Sequence, residues 1–171
     1  MHTRSNAYLR YTVLGFLVLF LYLFQVTPRL LPSIGGVLPV PLVPLTIVIA
    51  MREYEGAGAA FGLVCGLLMD ITSASSMGSH AILLLLLGFF SSLLVNSLLN
   101  DTLRTALLLG ATGTAIYCIT HWIVTCVLSG LQGTVGFLFH RYLPVFVYTL
   151  IFLIPLYYFV GWIEHRMRTD K

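Results

Sequence analysis

Long apolar runs separated by short polar stretches dominate this chain. Six runs predict membrane-spanning helices, and they cover residues 9–26, 37–51, 56–72, 81–99, 103–129 and 143–163. A helix needs about 20 mostly apolar residues to cross the hydrocarbon core of a bilayer, and every run except the second approaches or exceeds that length. The pattern predicts an all-α integral membrane protein built as a six-helix transmembrane bundle.

The second run differs from the others because it contains Pro39, Pro41 and Pro44. Proline has no backbone N–H to donate, so a regular helix is expected only from Leu42 onward, over about 15 Å at 1.5 Å per residue. We therefore expect a short or broken second span that begins as extended chain. A re-entrant segment is the alternative. Pro155 is expected to kink the last helix in a similar way.

Composition supports a membrane protein without soluble domains. Of 171 residues, 58% are hydrophobic and 9% are charged, and the mean hydropathy is +0.96. This leaves too little polar surface to cover a soluble globule. We expect one transmembrane domain over residues 1–171, with no extramembrane domain for catalysis or nucleic-acid binding.

The basic residues predict the orientation of the bundle. With six spans and a cytoplasmic N-terminus, seven basic residues lie on the cytoplasmic side and two lie outside, in agreement with the positive-inside rule. The seven are Arg4, Arg10, Arg52, Arg104, Arg166, Arg168 and Lys171, and the two are Arg29 and Arg141. A re-entrant second segment gives a weaker division of six against three. Both termini are therefore predicted to be cytoplasmic, and the net charge of +3 is assigned to membrane anchoring rather than to nucleic acid.

Three glycines at four-residue spacing, Gly58, Gly62 and Gly66, run through the third span toward Asp70. Glycine costs about 1 kcal/mol in a helix relative to alanine, but in lipid a glycine stripe lets a second helix approach closely. Each step of four residues advances about 40° around the helix, so the stripe winds and fits a neighbour that crosses at about −40°. We favour a neighbour from the same chain, with a partner protein as the alternative.

Asp70 lies about 18 Å along the helix axis from Gly58, toward the outer boundary of the membrane. One interpretation is a buried site for an ion, a proton or a partner. The favoured interpretation is a structural carboxylate that hydrogen-bonds Thr72, Ser73 or the backbone of the following turn. In either case an Asp in lipid marks a place of packing or assembly.

The remaining polar residues in the spans predict no catalytic, cofactor-binding or metal-ligating site. His121 stands alone in an apolar run, as is typical of an interhelical hydrogen-bonding residue. His80 follows the turn after Asp70, but two such residues without a third do not make a metal site. The three cysteines are expected to act as small apolar residues. Residues 129–142, rich in glycine and aromatic residues, are expected to lie at the membrane interface.

The stretch Gly-Ala-Ala-Phe-Gly-Leu-Val-Cys-Gly-Leu-Leu-Met-Asp (residues 58–70) carries a resemblance to a known family. It is followed by a Ser-rich turn ending at Gly78 and by a leucine-rich run over residues 81–90. Together these resemble the rod shape-determining protein MreD family, which shows a Gly-Phe-x-x-Gly-Leu-x-x-Asp core, a short turn ending in Gly and a leucine-rich helix. The pair Phe61-Gly62 inverts the family's Gly-Phe order. Chain length, six spans and a proline-containing second segment are also similar.

The resemblance implies a non-enzymatic scaffold in the bacterial cytoplasmic (inner) membrane, without a cofactor. Its implied role is to help organise lateral peptidoglycan synthesis in the cell-wall elongation machinery and so to maintain rod shape. The implied partners are an MreC-like bitopic membrane protein, with MreB, RodA and a class B penicillin-binding protein, in contact with membrane lipid and not with nucleic acid. The residues expected at a helix-packing or partner interface are Gly58, Gly62, Gly66, Asp70 and Gly78.

Two other functions remain open as alternatives. The substrate-binding S component of energy-coupling factor vitamin transporters is similar in size and number of spans, so the bundle is also S-component-like in layout. Those subunits carry Ala-x-x-x-Ala in their first helix, whereas residues 11–20 here are bulky. An intramembrane enzyme would need a second polar group facing Asp70 or His121, and neither spacing supplies one.

Overall fold

The computed structural model describes residues 3–27, 39–73, 78–124 and 142–168, with side chains described from residue 9 to residue 166 within these ranges. They contain six α-helices and no strand, which confirms the predicted all-α class. The helices are α1 (Thr3–Val26), α2 (Leu42–Ala50), α3 (Glu55–Thr72), α4 (Ser79–Ser97), α5 (Leu103–Trp122) and α6 (Leu143–Arg168).

Within the described ranges, five helices are long and apolar enough to cross a membrane. They are α1 over Leu9–Val26, α3, α4, α5, and α6 over Leu143–Arg166. By length and composition the chain is therefore a multi-pass membrane protein. The predicted second span is the exception, because α2 has nine residues and extends only about 13 Å at 1.5 Å per residue.

Helix α2 forms the centre of the bundle. All nine of its residues are buried, and it packs against α3, α4, α5 and α6. Its sequence Leu-Val-Pro-Leu-Thr-Ile-Val-Ile-Ala is apolar on every side, which is typical of a helix enclosed on every side. Pro44 is tolerated because it lies in the first turn, where N–H groups have no intrahelical acceptor. The hydroxyl of Thr46 donates to the Leu42 carbonyl over 2.9 Å.

The predicted extended entry to α2 is present where the structure describes it. Pro39 and Val40 are not helical, and the Val40 N–H donates to Thr149 Oγ1 on α6 over 3.2 Å. This bond holds the entry of α2 against the middle of α6.

The helices alternate in direction between two ends of the bundle. At one end, called the charged end, α3 and α5 begin and α4 ends. At the other, called the histidine end, α3 and α5 end and α4 begins. Arg10 of α1 and Glu164 of α6 both bind residues of the α2–α3 turn, so the start of α1 and the end of α6 lie at the charged end. Its assignment to the cytoplasm stays a prediction.

A network of ion pairs joins the helices at the charged end. Arg10 Nη2 lies 2.7 Å from Glu53 Oε2, Arg52 Nε lies 3.1 Å from Asp101 Oδ2, and Arg52 Nη1 lies 3.6 Å from Glu164 Oε2. The Arg52 guanidinium also lies over the ring of Tyr157. Sequence reasoning used Arg52 only as a marker of orientation, because its partners come from segments far along the chain.

Some predicted boundaries shift, and some fall outside the described residues. Helix α6 continues past residue 163 to Arg168, with Pro155 inside it. Helix α5 ends at Trp122, and residues 125–129 of the predicted fifth span lie outside the described residues. The same holds for residues 129–141 of the predicted interfacial segment and for residues 74–77 of the Ser-rich turn.

Candidate functional site: the glycine stripe and the polar cluster at its end

The glycine stripe of α3 faces α4, and the two helices form an antiparallel hairpin. Gly58 lies against the backbone of Gly88, Gly62 against Leu84, and Gly66 against Ala81. A methyl group added at Gly62 or Gly66 would overlap backbone atoms of α4, which cannot move as a flexible side chain can. Only hydrogen fits at these positions, so the stripe allows contact between two helix backbones.

Gly88 completes this contact from the opposite helix. A methyl group at Gly88 would overlap the carbonyl group of Gly58, so the approach needs glycine on both helices. Sequence reasoning treated Gly88 only as part of the leucine-rich run. The signal that could have singled it out is its place as the one glycine within residues 81–90.

Asp70 caps the start of α4 from the neighbouring helix. The N–H groups of His80 and Ala81 donate to its Oδ1 and Oδ2 over 3.2 and 3.0 Å. His80 Nδ1 lies 2.9 Å from Oδ1. These first-turn N–H groups have no acceptor within α4, and a carboxylate near a helix N-terminus is stabilised by the helix dipole.

The partners of Asp70 differ in part from those expected. A bond to the backbone of the following turn was expected, and the described backbone donors are instead His80 and Ala81 in the first turn of α4. The Thr72 hydroxyl instead donates to the Met69 carbonyl, and the Ser73 N–H donates to backbone carbonyls of the preceding turn. These two residues donate hydrogen bonds to carbonyl groups at the end of α3, and the Asp70 carboxylate accepts its backbone hydrogen bonds from α4.

Gly78 contributes through its backbone conformation. Its φ of 86° lies in the left-handed region, and it stands at the N-cap position of α4. Glycine adopts this conformation without the steric cost that other residues carry. A methyl group there would meet nothing within 4 Å. Glycine is therefore favoured at this position by the backbone conformation and not by close contact with a neighbour.

Aromatic and imidazole rings extend the Asp70–His80 pair toward α5 and α6. The ring centroid of His80 lies 5.6 Å from that of His121 and 5.8 Å from that of Tyr117. His121 Nδ1 lies 2.9 Å from the hydroxyl oxygen of Tyr142. These five residues, Asp70, His80, Tyr117, His121 and Tyr142, are called the polar cluster below.

The expectation that no second polar group faces Asp70 or His121 was wrong. His80 faces Asp70, and Tyr142 faces His121. Each partner lies on a different helix, 10 or 21 residues away in sequence, and spacing within one helix cannot reveal such a contact. His121 therefore is a member of a cluster.

A small cavity lies inside the polar cluster. It measures about 10 Å³ and is lined by Ser79, His80, Leu83, Tyr117, Thr120, His121 and Val124. This is close to the smallest space that holds one water molecule. Among the residues that the structure describes, no group of three or more His, Cys, Asp or Glu side chains could hold a metal ion. The polar groups that line this cavity can exchange hydrogen bonds with a water molecule.

A larger, open groove lies near the charged end between α1 and α3. It measures about 280 Å³ and is lined by Tyr11, Tyr54, Gly56, Ala57, Ala60, Phe61 and Val64. Its lining is mostly apolar, and none of the interface residues predicted from the sequence belongs to it.

No protein-family model matches the chain, and no curated protein or solved structure matches it either. The resemblance to the MreD family therefore depends on the sequence of residues 58–90 and on the similar chain length and layout of spans.

Proposed function

We propose that this protein is a non-enzymatic scaffold of the bacterial cytoplasmic membrane, of the MreD type. In this role it helps an MreC-like bitopic protein, together with MreB, RodA and a class B penicillin-binding protein, to organise lateral peptidoglycan synthesis. The observation that carries the proposal is that the described MreD-like residues, 58–73 and 78–90, pack against each other in the α3–α4 hairpin.

Four of the described residues that carry the MreD resemblance help to build that hairpin. Gly62 and Gly66 meet the backbone of α4, Asp70 caps its first turn, and Gly78 supplies the left-handed residue before it. Contacts between helices explain the glycines at 62 and 66 and the carboxylate at 70, and such contacts support a scaffold role.

The charged end also suits a rigid platform. The α2–α3 turn is tied to α1 through Arg10, to the α4–α5 connection through Asp101, and to α6 through Glu164. The carboxylates of Glu53 and Glu164 are buried, whereas that of Asp101 is exposed. Breaking the buried pairs is costly, so they hold the helices together at this end. At the charged end the bundle can therefore present a constant surface to a partner in the membrane.

The S component of a vitamin transporter stays the alternative. The groove between α1 and α3 has about 280 Å³, slightly below the roughly 300–1,000 Å³ that is usual for small-molecule pockets. It is open along its length, whereas ligand pockets enclose most of the ligand's surface.

Co-purification tests the proposal in the membrane. The chain would carry an affinity tag at its chromosomal locus, and an MreC-like protein should be recovered after mild detergent extraction. In the Gly62→Leu variant, recovery per molecule of bait should fall, because a side chain at this position would overlap the Leu84 backbone and displace α4.

Gly15→Leu is the matched control, since a methyl group at Gly15 would meet nothing within 4 Å. It should leave recovery unchanged. The proposal fails if the wild-type chain recovers no MreC-like protein, or if Gly62→Leu recovers as much of it as Gly15→Leu does.

A further inference from the structure

The long helices other than α1 are arranged as two pairs on either side of α2. Helices α3 and α4 pack along most of their length, and α5 packs on α6, where Gly110 lies against Leu153. Direct contact between α4 and α5 is sparse, and both pairs instead pack against α2. A boundary, called the seam below, therefore runs between the α3–α4 pair and the α5–α6 pair.

The seam is tied firmly at the charged end. Arg52 follows α2 and leads into α3, and it binds Asp101 before α5 and Glu164 on α6. Separating the two helix pairs at this end would move the Arg52 guanidinium away from the buried carboxylate of Glu164, which is strongly unfavourable. The charged end therefore resists opening.

At the histidine end the seam passes through the polar cluster. One side holds the Asp70–His80 pair, and the other side holds the His121–Tyr142 pair. Across the seam, the ring of His80 meets the rings of His121 and Tyr117 at centroid distances of 5.6 and 5.8 Å. Both short hydrogen-bonded pairs would be kept if the two sides moved apart.

The small cavity lies in the seam itself. Ser79, His80 and Leu83 line it from α4, and Tyr117, Thr120 and His121 line it from α5. Most of these side chains are polar, so water entering a wider gap would find hydrogen-bonding groups on both walls. An apolar seam would offer no such compensation.

We propose that the seam is a hinged cleft, which opens to water at the histidine end while the Arg52 network at the charged end acts as the hinge. Hinge motion of packed elements about a fixed contact is a common form of conformational change. This inference concerns motion within the chain and does not depend on the proposed function.

Distances between pairs of spin labels on α4 and α5 test the hinge. One pair, Ile82→Cys with Ile119→Cys, reports on the histidine end, and the matched pair, Leu93→Cys with Leu108→Cys, reports on the charged end. All four positions are exposed on the helix surfaces, so the labels should not disturb the core. Cys126 is replaced by Ser in both proteins, and the native thiols of Cys65 and Cys118 are buried.

In lipid nanodiscs, the histidine-end pair should show a second distance component that is longer by about 3 Å or more, the diameter of a water molecule. The charged-end pair should show one narrow component. Replacing His121 and Tyr142 together by Phe should abolish the longer component, because the α5–α6 wall loses groups that water would bind. A single narrow component at both ends overturns the proposal, as does a second component at both ends or one that persists in the double Phe variant.

Discussion

Asp70 shows how a carboxylate can lie within a membrane-spanning helix. Its side chain accepts from two backbone N–H groups at the start of α4, and it contacts the His80 ring. Charge-assisted hydrogen bonds of this kind offset the cost of removing a carboxylate from water. The residue stabilises the junction of two helices, and this structural role explains its presence in the span.

Removing the Asp70 side chain should destabilise the protein. Asp70→Ala leaves the His80 and Ala81 N–H groups without an acceptor, and the free energy of unfolding should fall by about 1–3 kcal/mol. Asp70→Asn keeps one acceptor oxygen and should lose less. Equilibrium unfolding in mixed detergent micelles measures both changes.

Thr72→Ala is the control for Asp70, since the Thr72 hydroxyl donates only to its own helix among the bonds described and the residue is exposed. Its effect should stay within about 0.5 kcal/mol. Equal stability of Asp70→Ala and Thr72→Ala would show that the cap contributes nothing.

At this scale the sequence could indicate a structural role for Asp70 but not its partners. A helical projection relates residues of one helix, whereas His80 and Tyr142 reach Asp70 and His121 from other helices. Their contacts depend on how the helices are placed around α2, and this placement is set by packing that no short-range pattern records.

At the scale of the elements, the sequence predicted the long helices. For the short helix α2 it predicted the length but not the burial among the other helices. The bounds of α1, α3 and α4 follow the polar residues and glycines that separate apolar runs, so they agree with the predicted spans within a few residues in the described ranges, except that α1 begins earlier, at Thr3. Helix α2 has the same apolar character as a span, and the prolines correctly indicated a short helix. Apolar character alone could not distinguish burial in lipid from burial among other helices.

The α3–α4 contact should be sensitive to a single methyl group. Gly66→Ala places a methyl group against backbone atoms of α4, and such overpacking typically costs about 1–3 kcal/mol. The unfolding free energy in detergent should fall by that amount.

Gly15→Ala carries the same substitution to a position in α1 with no atom within 4 Å of the new methyl group. It should be neutral or stabilising by up to about 1 kcal/mol, because alanine favours the helix. Equal losses in the two variants would mean that the stripe does not contact α4 closely.

The whole molecule is a bundle built around a buried helix and held at its two ends by different chemistry. Ion pairs join the helices at the charged end, while the polar cluster joins them at the histidine end. The glycine stripe connects these ends along the α3–α4 hairpin. This arrangement is compatible with the proposed scaffold role, because the residues that resemble MreD hold two of the helices together.

Depletion of the protein in the cells that encode it, which the proposed scaffold role requires to be rod-shaped, tests that role most directly, with cell width and vitamin uptake measured together. The account predicts that depleted cells widen and round while uptake is unchanged. Rod shape should return with the wild-type chain or Gly15→Leu but not with Gly62→Leu. Cells that stay rod-shaped after clean deletion and lose vitamin uptake would contradict the account and favour the transporter subunit.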